Sequence, residues 1–338
     1  MSIKQSSSIR SLAAAIIYVA FAVYLYQPYF NSFGRLEYLF VVNVCLASLG
    51  CYLLSRRWVA GFVESLVAGA IYGFGPFILG LAKFHPTTGL LAAAMPWLFC
   101  PAAFGPKTRW RWLRIPLALL PFLAIVLFFQ VSVHYRLFAV STQAKLDLAD
   151  LSGLLAPLIS AQRNITLIGF YHIPIAALVM GVSMLLAARR FGVIVIFAIG
   201  TILARCESFF EVSPVIWLAV PVVCCSVLIG AGMQGLSSAG FADREWILTT
   251  VAIMCALAIA TLLLATKYFQ TFLGIGSGYA KLFTQAGKMY VLGAIVAAII
   301  FFMIRAKLRM CRMRQVILLA AIAVDIFLGA IFIVDKLL

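Results

Sequence analysis

The sequence predicts an all-α fold, a polytopic bundle of about eleven transmembrane helices in a single domain over residues 1–338. Of the 338 residues, 65% are hydrophobic and 11% are charged, and the mean hydropathy is +1.11. A water-soluble domain of this composition would lack the polar side chains that hydrate its surface. Apolar runs of about 20 residues, the length that crosses the hydrocarbon core of a bilayer, recur along the chain. Lipid is therefore the solvent for most of this protein.

Eleven apolar runs are long enough, or nearly so, to be membrane spans. The first follows Lys4 and Arg10 as a secretory signal would, but the bulky residues Gln27 to Phe30 replace a small-residue cleavage site, so we read an uncleaved helix. The third run contains Gly75-Pro76 and is predicted to be interrupted there. The predicted spans are 11–30, 36–54, 59–82, 88–104, 113–133, 166–188, 191–204, 212–236, 246–266, 286–304 and 315–334.

The basic residues give the orientation. The net charge is +16, but the basic residues form short clusters between apolar runs, which indicates membrane topology and not a nucleic-acid partner. With the N-terminus in the cytoplasm, 16 of the 26 basic residues face inward, and the tight clusters fall on alternate connections. Treating 191–204 as re-entrant would invert the later spans and move the last cluster outward. The inward clusters are Arg56-Arg57, Lys107 to Arg114, Arg189-Arg190 and Arg305 to Arg314.

Two predicted outer connections, 134–165 and 267–285, are long enough to fold over the membrane surface, whereas the inner connections are short turns. Chemistry is therefore expected at the outer face. The eight cysteines show no ligand spacing and mostly lie in apolar runs, so the residues predict no metal site, no cofactor and no disulfide framework.

Three features inside the spans have both a structural and a functional interpretation. Gly69 and Gly73 form a small-xxx-small face ahead of Pro76, which is typical of close helix packing or of a broken helix that lines a cavity. Asp325 lies at the centre of the last span, where it is either protonated and hydrogen-bonded or takes part in proton coupling. Glu64, near an inner helix end, would snorkel to water or pair with Arg56 or Arg57.

Polar residues at the outer face are candidates for a lipid-phosphate site. Cationic side chains at headgroup level can hold a phosphate, and a carboxylate can act as general base on an acceptor hydroxyl. The alternative interpretation is that each of these residues is an ordinary charged side chain of a solvent-exposed loop. The candidate substrate-binding residues are Lys83, His85, Arg136, Arg163, His172 and Arg205, and the candidate general bases are Asp147, Asp150 and Glu207.

Several stretches resemble bacterial multispanning proteins of the GT-C glycosyltransferase superfamily, in particular the YfhO-like branch. In the first third of the chain they are VVN and CLASLGCYLLSRR over 41–57, AGAIYGFGPF over 68–77, HP at 85–86 and AMPWL over 94–98. In the middle they are DLS at 150–152, GFYHIP at 169–174, EVSP at 211–214 and WLAVP at 217–221.

This resemblance implies an enzyme of the bacterial cytoplasmic membrane that takes a sugar from a polyprenyl-phosphate carrier and transfers it at the outer face. It also implies a carboxylate in the first outer loop as base or as partner of a divalent cation. That loop is short here, and Glu37 is the carboxylate beside it. Because the loop is short, the chain is also consistent with a noncatalytic relative that serves as a scaffold for envelope polysaccharide assembly. A transporter or lipid flippase is the alternative suggested by Pro76 and Asp325.

Overall fold

The protein is described by a computed structural model in which helices dominate. The description covers residues 3–32, 34, 38–58, 61–84, 86–103, 120, 123–128, 130–131, 158–160, 165–168, 174–189, 191–206, 214–267, 270, 277–306 and 310–337.

In the first half of the chain, the described residues include five labelled helices and a small hairpin. Antiparallel strands β1 and β2 pair with Leu158 opposite Ile168 and Ser160 opposite Ile165. A short 3-10 turn, Gln27–Tyr29, extends the first helix. The elements are α1 (Ile3–Tyr26), α2 (Tyr38–Trp58), α3 (Phe62–Gly73), α4 (Pro76–Phe84), α5 (Pro86–Ala103), β1 (Leu158–Ser160) and β2 (Ile165–Ile168).

The second half contributes six more labelled helices. Two 3-10 turns, Pro214–Leu218 and Phe241–Asp243, lead into the third and fourth of them. The helices are α6 (Pro174–Ala187), α7 (Gly192–Leu203), α8 (Ala219–Ser238), α9 (Arg244–Lys267), α10 (Ser277–Arg305) and α11 (Cys311–Leu337).

Within the described residues, seven helical segments are long and apolar enough to cross a membrane. Three shorter apolar helices, Thr88–Phe99, Pro174–Ala187 and Gly192–Leu203, accompany them. Large apolar side chains such as Leu263 and Phe302 stay exposed on the outside of the bundle, as lipid contact requires. A multi-pass helical membrane protein is thus confirmed. The seven segments are Ile9–Tyr29, Tyr38–Trp58, Phe62–Leu81, Ile216–Ser238, Phe241–Lys267, Thr284–Arg305 and Cys311–Asp335.

The helical class is as predicted, and the structure corrects two predicted boundaries. Residues 165–168 form strand β2, so the predicted span 166–188 does not begin as a helix, and the helix described within it is Pro174–Ala187. The predicted outer connection 267–285 is helical from Ser277 onward, because α10 continues past the bilayer core. Of the predicted span 113–133, the described residues 120, 123–128 and 130–131 are helical and the rest lie outside the description.

Glycines set the tightest helix contacts. Gly73 on α3 faces α2 so closely that a Cβ there would lie 2.7 Å from the Val44 carbonyl oxygen and 2.9 Å from the Ser48 nitrogen. Gly69, one turn earlier, approaches the Ser48 carbonyl oxygen in the same way. The small-xxx-small face of the third span therefore does pack against a neighbour, which is the structural interpretation of that pattern.

Helix α8 is the centre of the bundle, because 17 of its 20 residues are buried. It contacts α2, α3, α5, α6, α7 and α11. Contacts between α6 and α8 advance together, from Gly181 against Leu228 to Met184 against Gly235, so these helices run parallel. The end of α7 packs on the start of α8, with Gly200 against Val220, so α7 runs the opposite way. Helix α7 is therefore a separate element and is not fused to a neighbour.

Candidate functional site

Asp325 lies deep inside the bundle. It is in the middle of α11, and its exposed fraction is 1%. At 1.5 Å per residue it stands about 21 Å from the start of α11 and about 15 Å from Asp335 near its end. Helices α10 and α11 form a hairpin around the turn at 306–310, which puts Tyr290 of α10 at the same depth. The Tyr290 phenol is fully buried and within electrostatic range of the Asp325 carboxyl group.

This pair lies on the boundary between two hydrophobic clusters. Tyr290 packs in a small cluster built from α6, α9 and α10, whose members include Ile175 and Met254. Ile322 and Ile326, which flank Asp325 on α11, belong to the large cluster that contains α8. The electrostatic interaction between Tyr290 and Asp325 therefore joins two packing units, in addition to the dispersion contacts between them.

The predicted break in the third span is present next to this region. Helix α3 ends where the Phe74 backbone nitrogen donates to the Ala70 carbonyl, and α4 restarts at Pro76. Proline has no N–H, so the Tyr72 carbonyl loses its helical donor. The Tyr72 side chain in turn anchors the break by donating from its hydroxyl to the Ala92 carbonyl of α5 at 2.5 Å. Helix α11, which carries Asp325, contacts both α3 and α4.

One end of the bundle gathers the polar and basic termini of several helices. Gln315 donates from Nε2 to Glu64 Oε1 at 2.8 Å, joining the starts of α11 and α3. Arg314, only 5% exposed, donates from Nη1 to the Ala239 carbonyl at the end of α8, also at 2.8 Å. Glu64 is itself buried at 7% exposure, so the expectation that it snorkels to water was wrong. Gln315 is a partner of Glu64 that the sequence did not indicate, and the pairing of Glu64 with Arg56 or Arg57 stays a prediction.

The opposite end is joined by a different pair. The Tyr29 hydroxyl, just after α1, donates to Asp335 Oδ1 at 2.6 Å, which links the ends of α1 and α11. Strand β2 packs on α4, the half-helix that follows the break. Lys83 lies on α4, and Arg163 and His172 stand two residues before and four residues after β2 in the sequence. Arg163 and His172 themselves lie outside the described residues.

The predicted site residues divide into three groups. Asp325 is buried, as expected for an intramembrane acid. Arg205 is exposed directly after α7, and Lys83 lies on α4. Among the described residues no group of three or more His, Cys, Asp or Glu is placed to hold a metal ion. The remaining candidates lie outside the described residues, namely Glu37, His85, Arg136, Asp147, Asp150, Arg163, His172 and Glu207.

Sequence reasoning did not single out Tyr290, Gln315 or the Tyr29–Asp335 pair. Tyr290 could have been found by pairing the last two spans as a hairpin, because it and Asp325 are nearly equidistant from the turn. Glu64 and Gln315 are separated by 251 residues, and hydropathy carries no signal for that contact.

Searches against protein-family models, curated proteins and solved structures found no match to this chain. The functional interpretation therefore rests on the chain's own residues and geometry.

Proposed function

We propose that the chain crosses the bacterial cytoplasmic membrane eleven times, with its N-terminus in the cytoplasm. Seven long and three shorter apolar helices, together with the apolar run 113–133, supply that number. The contacts of Glu64 with Gln315 and of Arg314 with Ala239 support the orientation, because they bring the starts of α3 and α11 and the end of α8 to the side that carries Arg312 and Arg314. The positive-inside rule assigns that side to the cytoplasm.

Two native cysteines can test this topology. Cys206, after α7, and Cys311, at the start of α11, are both exposed free thiols. In single-cysteine variants, a membrane-impermeant maleimide is expected to label Cys206 in intact spheroplasts and Cys311 only after lysis. Labelling of both residues from one side would contradict the proposal, because the three spans between them, α8, α9 and α10, put Cys206 and Cys311 on opposite sides.

The function that the geometry supports best is the handling of a polyprenyl-phosphate-linked sugar at the outer face. The observation that carries it is the contact between α4 and β2, since Lys83 lies on α4, His85 follows it, and Arg163 and His172 flank β2 in the sequence. Arginine and lysine near the headgroup level bind phosphate through charge-assisted hydrogen bonds. These residues would hold the carrier phosphate, with Arg136 and Arg205 as further cations of the same face.

The transfer step would need a carboxylate to remove the proton of the acceptor hydroxyl as that oxygen attacks the sugar. Glu37, Asp147, Asp150 and Glu207 are the candidates for this base. A divalent cation held by the same carboxylates would offset the charge of the departing phosphate. A noncatalytic scaffold would keep the phosphate site and lack the base.

Binding and transfer can be measured separately in nanodiscs. A fluorescent polyprenyl phosphate is expected to bind, and the double variant Lys83→Gln/Arg163→Gln to bind at least tenfold more weakly, because each charge-assisted hydrogen bond contributes roughly 1.5–3 kcal/mol. Lys288→Gln is the matched control, since Lys288 is an exposed cation on α10 away from α4 and β2. If Lys288→Gln weakens binding of the polyprenyl phosphate equally, the attraction is general to the charge of the protein and the proposed site is wrong.

The amide variants Glu37→Gln, Asp147→Asn, Asp150→Asn and Glu207→Gln separate an enzyme from a scaffold. One of them is expected to abolish transfer of the sugar while leaving carrier binding intact. If all four leave transfer unchanged, the proposed base is wrong; if the wild-type protein binds the carrier and transfers nothing, the scaffold is supported.

A transporter or lipid flippase is the second candidate, and one observation favours it. Asp325 and Tyr290 lie at membrane depth between two packing clusters, next to a broken helix. Discontinuous helices and buried acids at mid-membrane are common features of transporter sites. This candidate depends on the ionisable group at position 325, whereas the transferase depends on the outer face.

A further inference from the structure

A second region of the bundle, far from the α4–β2 contact, has the shape of a lipid site. An apolar cleft of about 570 Å³ opens between α6, α7 and α8, within the size range of sites that hold small molecules. Among the described residues that line it, none is charged. The lining consists of Trp58, Gly181, Met184, Leu185, Ala188, Gly192, Val193, Ile196, Cys224, Val227, Leu228 and Ala231.

Two exposed arginines are next in sequence to residues that line this cleft. Trp58 follows the exposed Arg57 at the end of α2, and Ala188 precedes the exposed Arg189 in the turn between α6 and α7. Arg189 has φ 52, the left-handed region that favours glycine. A glycine would relieve this conformation, and the chain has an arginine there instead. An apolar cleft with arginines at one end matches a molecule with a hydrocarbon chain and an anionic head.

We infer that this cleft binds one acyl chain of an anionic phospholipid, with Arg57 and Arg189 holding its phosphate. The proposed orientation places both arginines on the cytoplasmic side, where anionic lipids attract basic residues. Arginine suits the role because its planar guanidinium donates two parallel hydrogen bonds to a phosphate. This site is separate from the proposed outer carrier site and does not depend on transferase or transport activity.

Gly192 gives a way to fill the cleft without disturbing the fold. It is exposed and lines the cleft, and a Cβ built there meets nothing within 4 Å. In Gly192→Leu the new side chain therefore enters open space that the acyl chain would otherwise occupy. Ala198→Leu is the matched control, because Ala198 is an exposed residue of the same helix that does not line the cleft.

The test is native mass spectrometry of the full chain in detergent, titrated with phosphatidylglycerol and with phosphatidylcholine. Wild type and Ala198→Leu are expected to retain one phosphatidylglycerol molecule in preference to phosphatidylcholine, and Gly192→Leu to lose it by at least about tenfold. The double variant Arg57→Gln/Arg189→Gln is expected to bind phosphatidylglycerol about thirtyfold more weakly, with phosphatidylcholine unchanged. Retention without headgroup preference, or retention that Gly192→Leu does not reduce, would overturn the inference, because it would indicate lipid held at random around the bundle.

Discussion

Gly232→Ala is expected to lower the free energy of unfolding by about 3 kcal/mol and to deplete monodisperse protein. A Cβ at Gly232 would overlap the carbonyl oxygen of Ala177 and would lie 2.6 Å from its carbonyl carbon and 2.8 Å from the Gly181 nitrogen. These are backbone atoms of α6, and a backbone cannot rotate away as a side chain can. Relief requires α6 and α8 to separate, which removes dispersion contacts along the whole interface.

The matched control for this prediction is Gly192→Ala. It makes the same chemical change, but its Cβ meets nothing within 4 Å, so we expect a change within about 0.5 kcal/mol. Both variants would be followed by reversible unfolding in mixed micelles with increasing denaturing detergent, together with size-exclusion profiles. If Gly232→Ala unfolds at the same detergent fraction as Gly192→Ala, the close approach of α6 and α8 is wrong.

The features that could be predicted from the sequence are those that lipid imposes on every residue of a span. Hydropathy finds the spans because an apolar run must match the bilayer core, and Pro76 marks the helix break because it lacks an N–H. The basic clusters predicted one end of the bundle, and the contacts of Arg314 and Gln315 join the basic start of α11 to the end of α8 and the start of α3. Each of these signals is local in the chain.

The features that were missed depend on pairing between distant segments. Residues 165–168 read Ile-Thr-Leu-Ile, a run too short for a helical or strand period to be distinguished, and β1 decides its conformation. The position of Asp325 was evident from hydropathy, but the identity of Tyr290 beside it follows from how α10 and α11 pack. The outer site stays a prediction for most of its residues, since only Lys83 and Arg205 among its cations belong to described elements.

Replacing Asp325 is expected to show whether this acid stabilises the fold or takes part in transport. In a double-mutant cycle, Asp325→Leu and Tyr290→Phe should show a coupling free energy of about 0.6–1.7 kcal/mol, the range found for polar pairs between membrane helices. Additive effects would mean that the two side chains do not interact. Asp335→Asn serves as the control, because Asp335 is an exposed acid near the end of the same helix.

The isosteric variant Asp325→Asn tests transport, because it keeps a polar group of the same size and removes the ionisable proton. In proteoliposomes that carry a fluorescent polyprenyl phosphate, a flippase should move the lipid to the opposite leaflet, where a membrane-impermeant quencher reports its arrival. We expect Asp325→Asn to slow this movement at least tenfold if protonation drives it, and Asp335→Asn to leave it unchanged. Equal rates in wild type and Asp325→Asn would make Asp325 a structural residue that ties the two clusters together, and the transport candidate would lose the observation that favours it.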